Sequence, residues 1–459
     1  MQPAQTISQH LKAILTLGLP LIGSLLAQMT MGLVDTLMLG WYGVDALAGQ
    51  VLGSTFFFIL FIMGAGAAWA VMPLVAAASE AGDTTALRRV TRMGLWISLA
   101  TALAVLPLMW FSAPILRALG QEGNLAIIAQ DYLRIAGFGM IPALLAMVMR
   151  SYLVALERPR VVLAATLIAA MANAVLNYAL IFGVWGAPEM GVRGAALSSA
   201  LVQLLMVAAL TIYAVRALPE HTLFVRFWRP DWGAFGQVAR MGAQIGLTSL
   251  AEAGLFAATT VIMGQIGTLE LVAHGIAIQI ISLFFMAHVG LANAATVRAG
   301  RALGRKDEAG LRRGAAVVLG VSLGFAVFVV VLLLAMPEVM IGAFLAPDEP
   351  LRPEILLIGV TLLAVAALFQ VVDAAQVMAL GLLRGVQDTN APMWYAALSY
   401  WAVGVPMSWY LGLRAGWGGV GVWFGLVIGL ALAGLLMQGR FWRKSSRIGQ
   451  ASPAAARGL

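Results

Sequence analysis

Cysteine is absent from the 459 residues, which excludes disulfides, thiolate metal sites and thiol nucleophiles. Charge is scarce: Asp, Glu, Lys and Arg make up 10% of the chain, against about 25% in a soluble domain. The four histidines, His10, His221, His274 and His288, show no ligand spacing such as H-x-x-x-H. No G-x-x-x-x-G-K-[ST] loop occurs and no stretch offers room for a nucleotide-binding domain, so ATP-driven chemistry is not expected. What is present is apolar: 61% hydrophobic residues, with a mean hydropathy of +0.93. The chain reads as an all-α integral membrane protein.

A spanning helix needs roughly 20 mostly apolar residues. Twelve such runs are present, at 14–39, 46–77, 93–116, 131–155, 161–183, 194–217, 236–263, 271–296, 314–341, 355–383, 392–412 and 418–440. The first is too long for the apolar region of a cleaved signal peptide and is expected to span. With the amino terminus placed in the cytoplasm, 22 of the 28 Lys and Arg fall on the cytoplasmic side. The net charge of +8 is therefore topological and gives no reason to expect nucleic acid as a partner. Both termini are expected in the cytoplasm of a bacterial-type inner membrane.

The chain repeats at an offset of 224 residues: Gly18 matches Gly242, Gly40 Gly264, Gly43 Gly267 and Gly66 Gly290. The loop Asp83…Leu87-Arg88-Arg89 matches Asp307…Leu311-Arg312-Arg313 in the same phase. Two homologous six-helix lobes of parallel topology follow. Their expected bounds are 1–218 and 236–440, with a cytoplasmic linker at 219–235 and a basic tail at 441–459. In transporters, sites lie near such repeat interfaces.

Three carboxylates stand in the middle of apolar runs: Asp35, Glu252 and Asp373. A charge at bilayer depth costs a few kcal/mol or more, so it persists where it meets a cavity, a partner or an ion path. The acids are not repeated, since Glu252 falls opposite Gln28 and Asp35 opposite Thr259. Gln244, Thr248 and Glu252 share a helix face, as do Gln370, Asp373 and Gln376. Two carboxylates with such neighbours can bind a hard cation through oxygen, Na+ at Glu252 and Asp373 for instance, or hold a proton. Asp35 with Gln28, Asn173 and Asn177 forms a second oxygen-rich set, although the Asn pair equally suits helix packing. Pro20, Pro73, Pro107, Pro142 and Pro406 interrupt runs and kink them. The aromatic group Trp394, Tyr395, Tyr400 and Trp401 suits either a cationic aromatic ligand or an interfacial belt.

The stretch Pro20…Gln28…Met31-Gly32-Leu33-Val34-Asp35-Thr36…Gly40…Gly43…Leu47-Ala48, with Asn173, Asn177, Glu252 and Asp373, resembles the multidrug and toxic compound extrusion (MATE) transporters. The pattern is closest to the NorM-type branch, marked by a Glu in the seventh helix and an Asp in the tenth. The resemblance covers nearly the whole chain. It implies two lobes around a central cavity and export of cationic, often aromatic drugs in exchange for Na+ or H+, by alternating access. It carries over Asp35, Asn173 and Asn177 as the amino-lobe cation or proton site, and Glu252 and Asp373 as the carboxyl-lobe site. One branch has an Asp where this chain has Asn177, which speaks against a strong Na+ site there. Gln28, Gln244, Thr248, Gln370, Gln376 and Tyr395 are the candidate substrate-cavity residues. No cofactor beyond the coupling ion, no enzymatic activity and a functional monomer are expected. Two alternatives stand beside this: a lipid-linked precursor flippase of the same architecture, and, remotely, an intramembrane hydrolase using Asp35 and Asp373.

Overall fold

Inside hydrocarbon a backbone must satisfy its own N–H and C=O groups, and runs of this length do so as helices. The fold is that of a computed structural model describing residues 6–448; Arg457 and the end of the expected basic tail lie outside them. The amino-terminal half contributes α1 (Ile7–Tyr42), α2 (Val44–Glu80), α3 (Thr84–Trp110), α4 (Gly123–Ala155), α5 (Pro159–Phe182) and α6 (Val192–Ala217). The carboxyl-terminal half contributes α7 (Trp232–Ile266), α8 (Thr268–Arg305), α9 (Glu308–Ala335), α10 (Arg352–Gly385), α11 (390–414) and α12 (Gly418–Arg440).

Among the described residues, eleven helices are continuous, apolar and long enough to cross a membrane. The remaining one is α11. It alternates α segments, Asn390–Ala397 and Val405–Trp409, with π-helical ones, Leu398–Gly404 and Tyr410–Arg414. Pro406 lacks an N–H and its ring crowds the carbonyl four residues back, so the wider winding just before it relieves that conflict. The chain is thus a twelve-helix membrane protein.

The repeat reaches down to individual atoms. Asp83 caps α3, its Oδ1 accepting from the Ala86 N–H at 2.8 Å; Asp307 caps α9 by accepting from the Gly310 N–H at 2.8 Å. The residue before each cap is left-handed: Gly82 at φ +74° and Lys306 at φ +58°. Further along, Arg88 Nη1 donates to Thr222 Oγ1 at 2.6 Å, and Arg312 Nη1 donates to Ser446 Oγ at 2.9 Å. Both partners in each pair are 224 residues apart. Each half therefore ties the end of its sixth helix to the start of its third by the same bond. In the carboxyl half this requires the chain to remain helical past α12, through Phe441–Ser445, where Phe441 and Ser446 are fully buried.

The chain divides into two compact units, Gly23–Gly246 and the residues up to Ile22 together with those from Leu247 onward. Each holds five whole membrane helices, and the division runs through α1 and α7. Glycines make this possible. In the Gly23–Gly246 unit, Gly66 of α2 meets Gly242 of α7 so closely that a Cβ on Gly66 would collide with the Gly242 carbonyl. In the other unit, a Cβ on Gly290 of α8 would sit 2.9 Å from the Ile22 backbone N of α1, and one on Gly18 would sit 3.0 Å from Leu291. Gly18, Gly66, Gly242 and Gly290 are the same two positions of the repeat. Small residues at such crossings let helix backbones approach where lipid offers no hydrophobic drive.

Gly66→Ala and Gly290→Ala are expected to lower the thermal unfolding midpoint of the purified protein, each by the equivalent of about 1–3 kcal/mol of overpacking. Gly320→Ala, where nothing lies within 4 Å of the new methyl, is expected to leave it unchanged. Equal midpoints for Gly66→Ala and Gly320→Ala would remove the close crossing as a source of stability.

Candidate functional site

Asp35 lies on α1 in the unit Gly23–Gly246, and its carboxylate is held from two other helices. Asn173 Nδ2 of α5 donates to Oδ1 at 3.0 Å, Asn177 Nδ2 donates to the same oxygen, and Ser199 Oγ of α6 donates to Oδ2 at 3.2 Å. An ionised carboxylate only accepts, so the two amides turn their nitrogens, not their carbonyls, toward it. Asn177 Oδ1 is left buried without a donor. The structure brings Asp35 and the Asn pair together; the third donor, Ser199, is a lone hydroxyl in an apolar run and carries no signal of its own.

Asp35 opens onto a cavity of about 410 Å³, a size suited to a drug-like ligand. Gln28, Tyr132 and Gln203 line it beside a wall of Phe57, Phe58 and Phe61. Phe57 and Phe61 stack at 6.1 Å with 14° between planes. Such a wall with one carboxylate suits an aromatic cation. Arg150 of α4 also lines the cavity, and its Nη2 is buried without a hydrogen-bond partner.

The other unit holds the second set. Asp373 is 1% exposed, and neither of its carboxylate oxygens has a hydrogen-bond partner among the described residues. Glu252 Oε1, Gln370 Oε1 and Gln376 Oε1 are likewise buried and bare. Buried polar atoms are nearly always bonded, yet five oxygens here lack donors, and Gln370 Nε2 and Arg384 Nε are likewise buried without partners. Carboxylate and amide oxygens are ligand types that a hard cation takes. Asp373 and Tyr400 both feel the charge of Glu252, and Tyr400 also feels Arg384. Gln376 Nε2 donates to Tyr400 Oη at 2.8 Å, and Arg384 Nη2 to Ser249 Oγ at 3.4 Å.

The remaining predicted residues fall in different places. Thr248 is buried on the Glu252 helix, whereas Gln244, one turn earlier, belongs to the other unit. Tyr395 packs against the apolar core of its unit and neighbours Arg440. Trp394 and Trp401 are 65% and 50% exposed, as an outward aromatic belt requires, while Tyr400 is fully buried. The histidines are dispersed: His274 accepts from Trp423 Nε1 at 3.1 Å, His288 pairs with Ser322, His221 with Tyr152 and His10 with Arg298.

Removing the phenol in Tyr400→Phe leaves the buried Gln376 amide without its acceptor and is expected to destabilise by about 1–3 kcal/mol. In a double-mutant cycle with Gln376→Met, read by chemical unfolding, the two losses are expected to be non-additive by about 0.5 kcal/mol or more. Strict additivity would remove the pairing.

The MatE family profile matches two stretches, residues 20–179 and 245–410. A "Probable multidrug resistance protein NorM" of Rhizobium meliloti (strain 1021) is 45% identical over 450 residues, 97% of this chain and 96% of that protein. One of the same name from Synechocystis sp. is 33% identical over 429 residues, covering 93% of each. Among solved structures, a MATE in complex with MaL6 superposes with a TM-score of 0.86 at 19% identity, covering 96% of this chain and 98% of that one. The eukaryotic MATE transporter AtDTX14 gives 0.85 at 17% identity, with 99% and 100% covered. The structures share the fold; the profile and the relatives carry the assignment. The chain is a member of the MatE family of membrane transporters.

Proposed function

We propose that this protein exports cationic, often aromatic compounds in exchange for Na+ or H+, by alternating access. Its termini face the cytoplasm across a bacterial-type inner membrane. The observation that carries this is Asp35, held by Asn173, Asn177 and Ser199 at the edge of the aromatic cavity. The relatives are named as multidrug resistance proteins, which agrees with it.

Coupling follows from competition. The anionic carboxylate offers attraction to a cationic compound and accepts three hydrogen bonds. Once a coupling ion neutralises Asp35, that attraction is lost and the compound dissociates. An ion can bias the transport cycle only by binding its states with different affinities, and a carboxylate whose surroundings change through the cycle supplies the difference. The groups facing the Asp35 carboxylate are N–H and O–H donors rather than oxygen ligands, which speaks against Na+ and leaves a proton as the ion for that site. The five uncovered oxygens around Asp373, Glu252, Gln370 and Gln376 suit Na+ or a proton. The protein acts as a monomer and needs no cofactor besides the coupling ion.

Arg150 favours a second reading. A guanidinium in the cavity wall can meet an anionic group, so a lipid-linked pyrophosphate carried by a flippase of this architecture is the competing substrate.

The test is dye efflux from proteoliposomes under an imposed Na+ or H+ gradient, for wild type and for Asp35→Asn, Glu252→Gln and Asp373→Asn. One gradient is expected to drive efflux, and Asp35→Asn to reduce it to background. If neither gradient moves dye and all three variants behave as wild type, the exporter proposal fails, and lipid-linked substrates with Arg150→Gln become the next assay.

A further inference from the structure

A second built polar site lies at the start of α3, where the segment following α6 folds back on it. Arg88, Arg89, Arg92, Arg226 and Arg229 line a cavity of about 510 Å³ in which Asp231 is the one acidic residue. Five guanidiniums around one space repel each other unless an anion lies among them. The protein's own bonds position Arg88 and Arg92 without neutralising them. Arg88 is fixed by Thr222, and Arg92 Nη1 donates to the Arg226 carbonyl at 2.9 Å. Arg89 Nε lies 3.2 Å from Asp231 Oδ2, which offsets one of these charges. Arg92 is 6% exposed, with its Nε buried and unpartnered. Arg226 is held at φ +54°, a left-handed conformation that an L residue adopts only when its surroundings impose it.

The segment that brings Arg226 and Arg229 reads Phe224-Val225-Arg226-Phe227-Trp228-Arg229. Trp228 is 76% exposed, Val225 52% and Phe224 37%. Phe227 is tied inward, its carbonyl accepting from Trp96 Nε1 at 3.2 Å. Exposed aromatic and aliphatic side chains interleaved with arginines, at the end of a spanning helix, match the composition of a membrane–water interface. Guanidiniums grip phosphate through paired N–H donors, and basic pockets between membrane helices on the cytoplasmic side hold lipid headgroups.

We propose that this cavity binds the phosphate of an anionic phospholipid headgroup, with Phe224, Val225 and Trp228 resting against the lipid. Bound there, the phosphate neutralises the arginines and secures the segment after α6 to α3. The oxyanion chemistry is shared with free inorganic phosphate; the flanking apolar side chains select the lipid.

Native mass spectrometry of the full-length protein with added phosphatidylglycerol or phosphatidylcholine tests it. Phosphatidylglycerol is expected to be retained in preference to phosphatidylcholine. The double variant Arg226→Gln/Arg229→Gln is expected to bind it about tenfold or more weakly. Arg226→Lys/Arg229→Lys, which keeps the charge, is expected to retain most of the affinity, and millimolar inorganic phosphate to displace none of the lipid. The proposal falls if both lipids are retained equally, if the glutamine variant binds phosphatidylglycerol as wild type does, or if inorganic phosphate displaces the lipid.

Discussion

A polar atom surrounded by hydrocarbon has only the protein to bond with, and much of this molecule follows from that restriction. The apolar runs become helices because no other local structure closes every backbone bond. The first N–H groups of α3 and α9, which have no acceptor within their helices, are capped by Asp83 and Asp307. Ser408 Oγ on α11 turns to the Val422 carbonyl of α12, and Thr296 Oγ1 on α8 reaches the Gly381 carbonyl of α10. Both carboxylate oxygens of Asp373 and Oε1 of Glu252 are buried without such a bond among the described residues.

The repeat keeps its scaffold and relocates its polarity. Turn, cap and arginine tie are the same in both halves to within a few tenths of an ångström. The positions equivalent to Asn173, Asn177 and Ser199 are Ala397, Trp401 and Trp423. Where the amino half bonds a carboxylate, the carboxyl half buries Trp423 against His274 and Phe369. Its acids instead stand on α7 and α10. Two copies of one fold therefore present chemically different interiors.

Much of this was legible in the sequence, for identifiable reasons. Runs of twenty apolar residues fix the number of helices because length against bilayer thickness leaves little choice. Of the matched glycines, Gly18, Gly66, Gly242 and Gly290 are crossing points, because backbone approach there tolerates no side chain, while Gly40, Gly43, Gly264 and Gly267 lie near the turns. Asp35, Asn173 and Asn177 stand out in the sequence as polar residues in apolar runs, but their spacing suits helix packing equally, and it is the family resemblance that groups them. Other features carried no such mark. Ser199 looks like any small residue in a membrane helix. Arg384 sits at a helix end, where a charge ordinarily reaches water, yet its guanidinium turns inward to Ser249. The π winding of α11 depends on how Pro406 is accommodated rather than on composition. The division of α1 and α7 between units depends on long-range packing that no local pattern encodes.

That division bears on how the chain is made. Gly18 is translated early, but Leu291, against which it packs, emerges only after more than half the chain has been synthesised. Likewise Arg312 must wait for Ser446, among the last residues described. The amino-terminal half can insert its helices and close its own arginine tie while the ribosome is still working. The beginning of its first helix, however, stays unpacked until the eighth arrives. Biogenesis of the two halves is therefore interleaved rather than sequential, and the early, half-finished protein exposes a helix surface that lipid or an insertion factor must cover in the interval.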